Sequence, residues 1–193
     1  MAPGSYSKTH HVFASKHPTK GSIMLDAVEL ATMTYDVFRL HSEHAKTPEK
    51  RFRRFDGKTP FGVHPVLGGM LILHEELLPE KTRETGAKAF FGQDFKEDTD
   101  ADLPRWAKEP EVERLIDELT FTEDENKFDK IWERSEEAIL LSFYDNVINL
   151  MCVGKVKQRR LTYCKRKIRE HMKYIKSRWG RLEIVRLAEG LLK

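Results

Sequence analysis

AFFGQDFKEDTD, residues Ala89 to Asp100, joins a strongly apolar run to a crowd of acids. Ala89, Phe90, Phe91 and Phe95 are residue types that seek burial. Asp94, Glu97, Asp98 and Asp100, with Asp102 just beyond, are carboxylates that repel one another unless a cation or bulk water offsets the repulsion. Asp94, Glu97 and Asp98 stand at i, i+3 and i+4, so a helix puts all three on one face. Because the flanks are apolar, the expectation is a buried acidic face that needs a metal ion or arginines. A calcium loop is the other acidic reading: Asp98, Asp100, Asp102 and Glu109 take its first, third, fifth and twelfth positions. Its obligatory turn glycine is here Leu103, followed by the stiff Pro104, which argues against it.

Outward from this stretch the chain reads as helices. Ser22 is an N-cap for a first helix with Met24, Val28, Ala31, Tyr35, Phe38 and Ala45 near the 3.6 period, ending before Thr47-Pro48. A second runs from about Pro65 to Leu78 on Val66, Met70, Leu73 and Leu77. A third starts near Lys81 and carries Phe90 and Phe91 into the acidic stretch, and a short fourth spans Glu111 to Thr120. Phe128 to Val153 reads as one long helix interrupted at Gly154. Basic helix then continues from Gln158 to Leu192, kinked at Gly180. No segment alternates with period two between hairpin turns. The expected fold is all-α, a bundle of five to seven helices: a flexible arm at 1–21, then one helical domain over 22–193.

The totals narrow the function classes. With 193 residues, 39% hydrophobic and 34% charged, the chain suits one globular domain with a core of its own. Its apolar runs are too short to span a bilayer, so no membrane partner is expected. Cys152 and Cys164 form neither a disulfide framework nor a zinc pattern, which fits a cytoplasmic setting. Met151 to Lys193 carries +11 and the remainder −8. Such a basic tail is a solvated helix face or a surface for anions. Against nucleic acid as a partner stands the lack of aromatic–basic interleaving beyond Tyr163, Tyr174 and Trp179. The oligomeric state is left open.

Three separated segments carry a resemblance. DGKTPFGVHPVLGGMLIL is similar to a Gly-x-Pro-Tyr-x-x-His-Pro segment, AFFGQDFKEDTDADLP to His-Asp-x-x-Glu-Asp-Thr, and LSFYDNVINL to Lys-Leu-Ala-Asp-x-x-x-Asn-Leu. In that order and spacing, over about Ala27 to Leu150, they resemble the HD-domain hydrolase of the RelA/SpoT family and its stand-alone small alarmone hydrolases. The resemblance implies an HD-type helical bundle and a Mn²⁺ ion (another divalent metal being an alternative) held by His64, Asp94, Asp145 and the residue at position 93. It implies Glu97 and Asp98 as the pair that positions and deprotonates the attacking water. Arg53 and Arg54 match the family's basic pair, and Asn149 its nucleotide-contacting Asn. Tyr163 corresponds to an aromatic near the ribose, and Lys58 and Lys155 are further phosphate-binding choices. The implied reaction removes the 3′-pyrophosphate of a small-molecule nucleotide, an alarmone such as (p)ppGpp or (p)ppApp, in the stringent response.

Gln93 departs from the pattern, because it stands where the doublet has its histidine. A neutral amide offers one weak oxygen donor in place of a strong imidazole nitrogen, which lowers affinity for Mn²⁺. It is either an introduced change that disables the site or a natural feature of a member that works with three ligands or has lost catalysis. An extra residue between the basic pair and Pro60 also blurs the register there. Two alternatives stay beside the hydrolase: a catalytically silent nucleotide-binding HD protein, and a phosphomonoesterase on another nucleotide.

Overall fold

A computed structural model of the chain describes residues 25–54, 56–122, 126–152 and 158–193. The expected arm at 1–21, Ser22 and Met24, the interruption at Gly154 and Lys155 lie outside them. The described residues are all-α. Their only extended pairings are two isolated bridges, Ala45 with Thr99 and Phe52 with Pro60. Among the described residues seven helices have nine residues or more: α1 (Ala27–Glu43), α2 (Val63–Leu73), α3 (Glu80–Gly92), α5 (Pro110–Leu119), α7 (Glu136–Met151), α8 (Gln158–Trp179) and α9 (Glu183–Leu191). Between them lie the single turns α4 (Phe95–Asp98) and α6 (Lys127–Lys130) and three short 3-10 segments. Among the described residues no helix is long and apolar enough to cross a membrane.

Several boundaries and faces differ from expectation. Asp26 caps α1 by accepting from Glu29 N at 2.7 Å. The helix buries Met33, Val37, Leu40 and His41, while Val28 (75%), Tyr35 (65%) and Phe38 (37%) are exposed. Both stripes have helical period, and periodicity alone does not choose between two apolar phases. α2 ends at Leu73, earlier than Leu78, and Leu77 is exposed. The long helix expected from Phe128 is two. α6 and a 3-10 turn over Ile131–Glu133 stop before Ser135, whose side chain accepts from Ala138 N and starts α7. Ser followed by Glu136-Glu137 is a strong helix start, since the hydroxyl meets a free N–H and the acids face the positive end of the dipole. At Gly180 the chain turns with φ 80°, ending α8 and separating α9.

The tightest helix pair is α2 on α3. A Cβ on Gly68 would sit 2.0 Å from Phe90 Cε1, and one on Gly69 would sit 2.2 Å from Phe91. The two glycines therefore let the fully buried Phe90 and Phe91 rings lie directly on the α2 backbone. α7 packs on both α2 and α3. From Ala138 to Asp145 every residue of α7 is buried, as fits a helix enclosed by others. Two buried charges tie the periphery to this core. Glu75 Oε2 accepts from Tyr144 Oη at 3.2 Å and from Ile184 N at 3.3 Å, fixing the start of α9. Lys88 Nζ lies 2.8 Å from Glu29, 2.9 Å from Glu109 and 3.6 Å from Glu84, joining α1, α3 and the entry to α5.

Overpacking of this kind costs about 1–3 kcal/mol or more. Gly68→Ala is therefore expected to lower unfolding free energy in urea by at least about 2 kcal/mol. Phe90→Leu in the same chain should recover part of the loss. A fully stable Gly68→Ala would show that the α2–α3 approach is not tight.

Candidate functional site

Four elements deliver the residues singled out by their chemistry. His64 lies in the first turn of α2, and Gln93 and Asp94 follow the end of α3. Glu97 and Asp98 form α4, while Asp145 and Asn149 sit one turn apart on α7. The glycine contact between α2 and α3 brings the first two groups together, and the packing of α7 on both helices supplies the third. His64 Nε2 and Asp145 Oδ1 are 2.8 Å apart. Gln93 Nε2 is 3.5 Å from His64 Nε2 and 3.4 Å from Asp94 Oδ2, so its amide is only loosely held although the residue is 4% exposed. Asn149 Nδ2 donates to Asp145 Oδ1 at 2.9 Å, and Arg53 donates to Asn149 Oδ1.

Lys127, at the start of α6, was not singled out by sequence reasoning. Its ammonium stands 3.6 Å from Asp145 Oδ2. In sequence it is one lysine after an acidic turn, which reads as solvated; only tertiary packing turns it inward.

Above these groups is a pocket of about 380 Å³. Arg53, Arg54, Glu97, Asp98, Lys127, Asp145, Asn149 and Tyr163 line it, with Phe61 and Phe128 as apolar walls. Arg53 lies over the Phe61 ring at 5.3 Å, and Tyr163 meets Phe128 edge-on at 5.2 Å. Arg53 is held by a small hairpin: Phe52 bridges Pro60, Arg53 N donates to Thr59 O at 2.9 Å, and Asp56 accepts from Lys58 N and Thr59 N. Lys58 is exposed on that turn and is not part of the pocket wall.

The acidic pair has structural partners as well. Glu97 Oε1 accepts from Phe121 N at 2.8 Å, and Asp98 Oδ1 pairs with Lys50 Nζ at 2.8 Å. Three of the four candidate calcium positions have other partners: Asp98 meets Lys50, Asp100 stands 3.5 Å from His44 Nδ1, and Glu109 stands 2.9 Å from Lys88 Nζ. Among the described residues no three His, Cys, Asp or Glu side chains stand ready as a metal-holding group. His64 and Asp145 are closed onto one another instead.

Electrostatics separates the two central aspartates. Burial, Asp145 and Asp98 together push the Asp94 carboxyl up to about 8. For Asp145 burial also acts upward, but Lys127, His64 and Arg53 hold its carboxyl below the usual range. Burial lowers His64, outweighing the pull of Asp145. Burial acts against the charge on Lys127 as well, yet Asp145, Asp94 and Glu97 raise it above the ordinary lysine value. Behind the site, burial pushes His41 down to about 4, partly offset by Asp98.

No family model, curated protein or solved structure matches the chain.

These shifts set a pH dependence. Between 3.8 and about 8 folded Asp94 keeps a proton that the unfolded chain has released, so its contribution weakens stability as pH rises. His41 works the other way between 6.5 and about 4, because the unfolded chain takes up a proton that the folded one refuses. Above 6.5, of these two groups, only Asp94 titrates. The urea midpoint of the metal-free protein should fall from pH 6.5 to pH 8, and Asp94→Asn should flatten that limb. A wild-type midpoint rising over this range would contradict the assignment.

Proposed function

We propose that the chain is a metal-dependent nucleotide pyrophosphohydrolase of the HD type, acting in the cytoplasm on alarmones such as (p)ppGpp or (p)ppApp, with Gln93 weakening its metal site. The observation that carries this reading is the convergence of His64, Gln93, Asp94 and Asp145 from three separate helices beneath a pocket lined by Arg53, Arg54, Lys127 and Asn149. The three-segment resemblance to the RelA/SpoT hydrolase domain supports it. Cys152 and Cys164, in no disulfide among the described residues, suit a reducing compartment.

The donor set fits a divalent cation in kind: one imidazole, two carboxylates and one amide. A carboxyl pushed up to about 8 by burial and by the neighbouring Asp145 and Asp98 marks a place short of positive charge. His64, Asp94 and Asp145 would hold Mn²⁺, with Gln93 as the weak fourth donor. Bound there, the ion would supply Lewis-acid polarisation of a phosphate ester and acidify water.

The remaining work falls to the chain itself. Arg53, Arg54 and Lys127 offset the charge of a polyphosphate, the guanidinium pair offering forked donors. Asn149, anchored between Arg53 and Asp145, fixes the register of the nucleotide. Phe61, Phe128 and Tyr163 give flat walls for a base and ribose. Glu97 and Asp98 each spend one oxygen on Phe121 N or Lys50, and among the described residues the other stays available to accept a proton from water.

Restoring the ligand tests the reading. With Mn²⁺, Gln93→His should release pyrophosphate from ppGpp or pppApp faster than the parent chain. The gain should exceed the ~10–100-fold that loss of an outer-shell partner costs. Absence of turnover by Gln93→His on every alarmone sinks the enzyme reading, and release of free phosphate instead would make it a phosphomonoesterase.

A second reading has its own observation. Lys127 already supplies a positive charge beside Asp145, and Gln93 is a poor ligand, which suits a silent nucleotide-binding protein. That reading requires the parent chain to bind ppGpp tightly in calorimetry with EDTA present.

A further inference from the structure

Phe61 belongs to two pockets. Besides walling the site above, it lines a cleft of about 380 Å³ between α1 and the segment from Arg51 to Gly62. That volume lies within the ~300–1,000 Å³ usual for small-molecule sites. Tyr35 and Phe38, three residues apart on α1, form its aromatic side. Both are exposed, at 65% and 37%, although large aromatic rings normally find cover.

His41 also lines this cleft. It is 1% exposed, and among the described residues neither of its ring nitrogens has a hydrogen-bond partner. Its ring lies 4.6 Å from that of Phe61 and 5.5 Å from that of Phe95, so carbon surrounds a polar ring. A buried donor and acceptor left unmet is costly, and such groups are uncommon in folded proteins. Charge at the cleft is also specific. Arg39 is engaged by Asp36 and Glu43, whereas exposed Arg51 has no carboxylate partner among the described residues.

We propose that this cleft is a second ligand site, built for a planar heteroaromatic ring bearing one anionic group, of the chemistry of a nucleoside monophosphate. Tyr35, Phe38 and Phe61 stack on the ring, Arg51 takes the phosphate, and the heteroatom edge meets the unmet nitrogens of His41, closed off in the empty cleft, as the ring wedges between α1 and Phe61. Glu43 on the same wall opposes a larger negative charge, which separates this site from the polyphosphate pocket with its three cations. The site stands without the hydrolase reading, because none of its contacts uses a candidate metal ligand or Asn149.

The test is a titration of the full chain with AMP and with GMP, by calorimetry and by amide NMR shifts read at Tyr35, Phe38 and Ser42. Saturable binding of one of them at those amides is expected. Tyr35→Ala and Arg51→Ala, both at exposed positions, should each raise its Kd about five-fold or more, and Arg54→Ala in the other pocket should leave it within about two-fold. Binding lost through Arg54→Ala but kept in the other two variants overturns the proposal, since the nucleotide then occupies the first pocket. No saturable binding of either nucleotide at millimolar concentration overturns it equally.

Discussion

The close approach of α2 to α3 is the constraint on which the rest depends. Two consecutive glycines remove the Cβ atoms that would strike Phe90 and Phe91, and the rings then seal directly against backbone. Because His64 begins α2 and Gln93-Asp94 closes α3, the same contact fixes the distance between them. α7 completes the arrangement by packing on both helices, which carries Asp145 to His64. Core and site are thus one construction. A change in how deeply the phenylalanines seat would shift the imidazole relative to both aspartates.

Two buried clusters show how position decides the behaviour of identical groups. Around Lys88 one ammonium faces three glutamates, all partly open to water, and the arrangement is closed by direct ion pairs. In the candidate site the balance is uneven. Asp145 receives His64 on one oxygen and Lys127 near the other, while among the described residues the Asp94 side chain has only the loose amide of Gln93 as a hydrogen-bond partner. That difference in partners, more than any difference in burial, drives the two aspartates in opposite directions. A site with one satisfied and one frustrated carboxylate retains a local demand for positive charge.

Much of this was legible in sequence. The all-α class followed from the 3.6-residue periodicity, and the aromatics of AFFGQDFKEDTD are buried as expected, whereas Asp94, Glu97 and Asp98 are only half-buried and Asp100 is exposed. Arg53, Arg54, Asn149 and Tyr163 do share a pocket with Glu97, Asp98 and Asp145. What escaped is what depends on partners. The buried phase of α1 could not be chosen without knowing which stripe meets α3. Ser135 was hidden because the apolar pattern runs on through it, although Ser-Glu-Glu is a helix start. Lys127 carries no local signal, and the role of Gly68 and Gly69 exists only relative to two rings on another helix.

Gln93 also has a meaning at the level of inheritance. Codons for Gln and His differ only in their third base, so position 93 stands a single nucleotide change from an imidazole. Its surroundings are already arranged for that exchange: a buried slot, loose contacts to His64 and Asp94, and no tight side-chain bond to surrender among the described residues. Under the proposed reading, a population carrying this gene would be one base away from a stronger metal site in either direction. Conversion between a silent and an active form would then need no remodelling of the fold.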